Sequence, residues 1–140
     1  MYRPILAVDF DGTITMDNDF PNLGPVKKDC IEVLQRLKRW GCIIILWTCR
    51  DGKYLTDALN YCKHHGIPID YANENCPELT FPTSRKIFAN YYIDDLNLGG
   101  SLSWLEVERI VMQHPYIQAQ IERGIPCTIP ENDNNSILER

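Results

Sequence analysis

Apolar residues along this chain fall into two periods. Short unbroken runs stand at 5–8 (ILAV), 42–47 (CIIILW) and 91–93 (YYI), with a weaker one at 67–71. Such runs, bounded by polar and turn residues, are the pattern of strands buried in a parallel sheet. Between them apolar positions recur at helical spacing. Val26, Cys30, Val33, Leu34, Leu37 and Trp40 predict a helix over 26–40, opened by Pro25 and stopped by Gly41. Leu55, Ala58, Leu59 and Cys62 predict a second over 53–65, closed by Gly66. Residues 84–90 predict a helical turn or two carrying Arg85 and Lys86. Ser103 with Glu106 reads as a capping box that opens a helix to about Gln113, and after the break at His114-Pro115 a last helix is expected over 116–123. Residues 15–25 and 72–83 read as loops.

Strands and helices in alternation predict one α/β domain over 1–124, a Rossmann-like parallel sheet with helices on both faces, and a fraying tail over 125–140. A chain of 140 residues holds one real core and no second domain. The basic residues of the first helix, Lys27, Lys28, Arg36, Lys38 and Arg39, are expected to form a solvated face. His64 and His65, in the last turn of the second helix, suit its dipole.

A net charge of -5 supplies no general attraction for nucleic acid or for an anionic membrane. The N-terminal apolar run is too short for a signal peptide or a membrane span. Six cysteines lie scattered with no Cys-x-x-Cys pair, several inside core segments, which points to a reducing cytoplasm and gives no zinc site.

In a parallel sheet the strand carboxyl ends share one edge, where such sheets place their ligands. That edge is expected to gather Asp9, Asp11, Thr48, Arg50, Asn73, Asn75, Asp94 and Asp95, with Lys86 nearby in sequence. Carboxylates so close cannot all be ionised cheaply unless a cation or a proton resolves the repulsion. Several carboxylates with no His or Cys beside them fit a hard cation, with Mg²⁺ the natural choice. With one hydroxyl and one or two basic side chains, the set suits phosphoryl transfer, for which an Asp carboxylate is a competent nucleophile.

These segments resemble the haloacid dehalogenase (HAD) superfamily of phosphatases. The apolar run ending DFDGT (9–13), the strand ending at Thr48, and YIDD (92–95) with Lys86 before it follow the family's order over about two-thirds of the chain. The resemblance implies Asp9 as nucleophile and Mg²⁺ ligand, and Asp11 as general acid/base with its backbone carbonyl on the metal. It further implies Thr48 as a phosphoryl hydrogen-bond partner, Lys86 (or Arg85) as the charge-compensating cation, Asp94 as a metal ligand and Asp95 as support. Arg50 resembles a Thr-x-Arg found in some members and, with Asn73 and Asn75, is a candidate for substrate contact. The intervals between motifs leave no room for a cap domain, and the loop 15–25 is the one candidate flap. The resemblance thus implies a capless class whose open sites accept large substrates or are covered by a second subunit, so a homo-oligomer is one expected arrangement.

The expectation is a cytoplasmic, Mg²⁺-dependent phosphomonoesterase for a phosphorylated small molecule, a nucleotide or other small phosphate ester, with no membrane partner. A polynucleotide-end or protein phosphatase is the alternative, although the acidic balance disfavours long nucleic acid. A catalytically silent binding domain on the same fold is the alternative of another class. The Cys30…Arg36 spacing mimics a tyrosine-phosphatase loop, but mid-helix it has no backbone amides to cradle phosphate. A receiver-type signalling domain would need its acceptor Asp on a later strand.

Overall fold

The computed structural model describes residues 2–124, so the expected tail and Cys127 lie outside the described residues. Eight elements follow in order: β1 (Ile5–Val8), α1 (Cys30–Arg39), β2 (Ile43–Leu46), α2 (Gly52–His64), β3 (Tyr71–Ala72), β4 (Tyr91–Ile93), α3 (Trp104–Val111) and α4 (Pro115–Glu122). The four strands form one sheet in the order β3-β2-β1-β4, every pair parallel. Ile5 lies opposite Ile43, and Leu6 opposite Tyr91. This is the expected α/β, Rossmann-like fold, except that the helices expected on both faces all pack on one, because residues of the β3–β4 connection cover the other. The chain steps outward from β1 to β3, then returns past β1 to place β4 on its other side. That reversal opens a crevice between the carboxyl ends of β1 and β4, the usual position of a site in such sheets.

Side chains alternate across the sheet. Leu6, Val8, Ile44 and Leu46 face a core that contains the buried residues of all four helices, among them Leu34, Leu37, Cys62, Val107 and Ile117. Ile5, Ala7, Ile43 and Ile45 face a second, smaller cluster. That face is covered by Cys76, Ile87 and Ala89 from the long β3–β4 connection. The helical turns expected over 84–90 are absent there, and the reason is tertiary. Ile87 and Ala89 alternate inward while the Tyr92 hydroxyl accepts from the Ala89 N–H (3.1 Å) and donates to the Ile87 carbonyl (2.7 Å). Asn75 Oδ1 accepts from the Phe88 N–H at 2.8 Å. Side chains thus satisfy backbone groups that a helix would have paired internally.

Two further boundaries moved. The first helix begins at Cys30, not at Val26, because Val26 bridges Thr15 and the Lys27 N–H donates to the Ile14 carbonyl at 2.7 Å. The third strand is reduced to Tyr71–Ala72. Pro68 has no N–H for a ladder, and the Asp70 carboxylate accepts from the Ile44 N–H (2.8 Å) while pairing with Lys38. Ser103 caps α3 as expected, accepting from the Glu106 N–H at 3.2 Å. The expected solvated basic face is largely engaged. Lys38 pairs with Asp70, Arg36 forks onto Glu108 of α3 (2.7 and 3.1 Å), and Lys27 turns inward.

Cys30, Cys42, Cys62 and Cys76 are buried free thiols, and Cys49 is exposed. Burial pushes the Cys42 and Cys62 thiols up to about 12, so they are packed and unreactive. No helix among the described residues is long and apolar enough to cross a membrane.

Candidate active site

At the end of β1 the Asp9 N–H donates to the Ile93 carbonyl at 2.9 Å, joining the ends of β1 and β4. The chain then turns tightly: the N–H groups of Thr13, Ile14 and Thr15 all converge on the Phe10 carbonyl at 3.0–3.2 Å. Gly12 makes this turn at φ +83°, and its α-carbon faces Asp95 so closely that a β-carbon would overlap that carboxylate. The turn places the Thr13 hydroxyl 2.9 Å from Asp9 Oδ2, to which it donates.

Asp9, Asp94 and Asp95 converge so that one carboxylate oxygen of each lies within 4.8 Å of the others. Burial raises the Asp9 carboxyl to about 7; the Thr13 hydrogen bond opposes this, and the charges of Asp94 and Asp95 push it further up. Among the described residues no basic side chain forms an ion pair with any of the three carboxylates. An all-oxygen set carrying excess negative charge has the chemistry of a hard-cation site, and Mg²⁺ fits it.

Asp11 takes no part in that cluster through its carboxylate. It points the other way, toward β2, where Arg50 grips it with Nε to Oδ2 and Nη2 to Oδ1, both at 2.8 Å. Arg50 was expected to touch substrate, and the structure corrects this. Only 2% of Arg50 is exposed, and its remaining donors reach the carbonyls of Pro21, Asn22 and Tyr54. Its guanidinium lies 5.0 Å from the centroids of both Phe10 and Phe20. Arg50 is therefore the rivet between Asp11 and the loop 15–25, with no donor left over for a ligand.

Thr48 stands at the end of β2, its N–H donating to Asn73 Oδ1 at 2.8 Å and its hydroxyl accepting from the Arg50 N–H at 3.1 Å. Asn73, left-handed at φ +53°, also donates to the Arg50 carbonyl at 3.3 Å, so it braces the 48–50 turn and is not itself presented to a ligand. Asn75 is likewise corrected. Its amide donates to Thr83 Oγ1 at 2.5 Å and its oxygen accepts from Phe88, which staples the 75–88 connection. Lys86 is exposed, with Nζ 5.2 Å from the Tyr92 ring centroid, and Arg85 beside it is exposed too.

Two residues of the site were missed from sequence. Thr13 looked like a turn residue. Lys27, half-buried, donates from Nζ to the Gly12 carbonyl at 3.2 Å. It lines a cleft of about 310 Å³ that also takes in Thr13, Asp94, Asn97, Leu98 and Trp104. The Trp104 indole N–H fixes the wall by donating to the Thr13 carbonyl at 3.0 Å.

No family model matches the chain. A solved structure of a conserved protein from Bacteroides thetaiotaomicron is similar at 33% identity and a TM-score of 0.73, over 80% of this chain and 92% of the other. The two belong to one family.

Proposed function

We propose that the protein is a Mg²⁺-dependent phosphomonoester hydrolase of HAD type, acting through an aspartyl-phosphate. One observation carries the reading: three carboxylates converge at the switch point of the sheet, with no side-chain cation paired to them among the described residues, and one of them accepts from a threonine hydroxyl. Asp9, Asp94 and Asp95 would hold the cation, which when bound supplies charge neutralisation for the phosphoryl oxygens.

The chain's own residues account for the rest. Asp9 attacks phosphorus, and the ester P–O bond breaks. The departing oxygen takes its proton from solvent, and the Asp11 carboxylate accepts the proton of a water that attacks the phosphorus and releases Asp9. Each carboxylate oxygen accepts in two directions, so the fork from Arg50 leaves one direction on each oxygen for that proton. Thr48, after the neighbouring strand β2, has a hydroxyl that donates to nothing among the described residues and so serves the phosphoryl group. Lys86, exposed and over the Tyr92 ring, stays the candidate for the cation that compensates phosphoryl charge.

Phosphate release from a panel of phosphomonoesters, with Mg²⁺ or with chelator, tests the reading, with Asp9→Asn as blank. The expected result is metal-dependent release that Asp9→Asn abolishes while its unfolding transition stays cooperative. Full activity in Asp9→Asn excludes the covalent route. Absence of release across small esters, phospho-oligonucleotides and phosphopeptides favours a binding domain instead.

A further inference from the structure

Beside the carboxylate cluster runs the cleft walled by Thr13, Lys27, Asp94, Leu98 and Trp104, and its volume of about 310 Å³ is at the small end of ligand pockets. It is larger than a phosphoryl group needs and opens on Asp94, so it is where the rest of a substrate would lie. Its lining is otherwise neutral: one cation, Lys27, and one anion, Asp94, stand among aliphatic, aromatic, glycine and hydroxyl or amide residues.

Lys27 is placed unusually for a lysine. It is half-buried, its one hydrogen bond goes to a backbone carbonyl, and no carboxylate lies within ion-pair distance among the described residues. An ammonium has three donors, so two remain to face the cleft. Gly12 stands between Lys27 and the carboxylates, its carbonyl toward the ammonium and its α-carbon toward Asp95. Lys27 is thus separated from the triad yet open to whatever fills the cleft. The other basic residues of this edge are not available there: Arg50 is saturated, and Lys86 and Arg85 do not line the cleft.

We infer that the cleft binds the leaving-group part of the substrate and that this part carries a second anionic group, recognised by Lys27. The substrate class is then a compact phosphomonoester with a carboxylate or second phosphate. This rests on the phosphatase reading for the placement of the reacting phosphoryl group.

Matched pairs of ligands test it: 4-carboxyphenyl phosphate against phenyl phosphate as substrates, and 3-phosphonopropionate against propylphosphonate as inert ligands followed by thermal shift with Mg²⁺. The wild-type protein is expected to favour the carboxylated member of each pair by about tenfold, the range of one hydrogen bond to a charged group. Lys27→Gln should abolish that preference through KM, so that both members of each pair are handled alike, and Lys27→Arg should keep most of it. Hydrolysis of both esters with no preference, or an equal loss on both in Lys27→Gln, overturns the cleft assignment while the phosphatase reading stands. A Lys27-dependent preference among the phosphonates with no hydrolysis of either ester overturns the phosphatase reading and keeps the cleft. No preference in either pair removes the assignment.

Discussion

Arg50→Ala is the substitution for which the structure gives the largest expected effect. It strips one partner from an ion pair whose side chains are 1% and 12% exposed, leaving the Asp11 carboxylate enclosed without its counter-charge. Breaking such a pair from one side costs about 3–5 kcal/mol. The two ring contacts at 5.0 Å add about 0.5–2 kcal/mol each when desolvated, though not additively with the pair. The carbonyls of Pro21, Asn22 and Tyr54 also lose a donor. A loss of about 4 kcal/mol or more is expected, a large part of the roughly 5–15 kcal/mol that holds a domain folded. Arg50→Lys should recover only part of it, because one ammonium cannot fork onto both Asp11 oxygens and still reach three carbonyls. Urea unfolding reads this directly as a fall in midpoint at constant slope. In a double-mutant cycle with Asp11→Ala, the second substitution should cost much less than the first, as expected of a mutually dependent pair. Arg109→Ala is the control, since its partner Glu106 is three residues away on the same exposed helix face. The reasoning fails if Arg50→Ala unfolds within about 1 kcal/mol of the wild-type protein.

Three further outcomes follow from the site. Because burial raises Asp9 to about 7 from an ordinary 3.8, the metal-free fold loses stability as pH rises through that interval and keeps all of it below; thermal midpoints should fall from pH 4 to pH 8, and Mg²⁺ should raise them more at pH 8 than at pH 5. Asn73→Gly keeps the left-handed backbone but releases the Thr48 N–H, so it should unfold later than Asn73→Ala while both lower kcat about ten- to a hundredfold, read by stopped assays beside thermal melts. Asp95→Asn should weaken Mg²⁺ binding measured by calorimetry, whereas Asp11→Asn should leave it close to wild type because its carboxylate faces Arg50; equal effects would contradict the separation of the two carboxylates.

The parts of the fold legible in sequence were those set by local pattern. The run at 42–47 has no helical reading at that length between turns, and Ser103 caps α3 through a contact only three residues long. Convergence of Asp9 with Asp94 and Asp95 followed from the parallel topology alone, since a residue after each strand must reach the same edge. What stayed hidden depends on side chains distant in sequence. The Tyr92 hydroxyl dictates the backbone at 87–89, Asp70 takes the place of a ladder group, and Thr15 draws Val26 out of the helix that its spacing implied. The Thr-x-Arg at 48–50 drew notice to Arg50 without its partner, and Lys27 has no local signature: each owes its role to a partner 39 or 15 residues away.

The two carboxylates of β1's exit loop raise one electrostatic problem, and the fold divides it between the two neighbours of β1. Asp11 turns toward β2, where a buried guanidinium neutralises it from within the chain. Asp9 turns toward β4, where it meets two more carboxylates and no basic side chain among the described residues. Had the purpose of this edge been stability, a second arginine opposite Asp9 would have served as Arg50 does. The chain instead leaves one half compensated and the other half in deficit, with the deficit at the switch point where ligands enter. On the proposed function, a site kept short of positive charge beside a neighbour so fully supplied would receive its cation from solution. The same division explains why Arg50 is no substrate contact: its donors are spent within the chain, on Asp11 and on the loop 15–25.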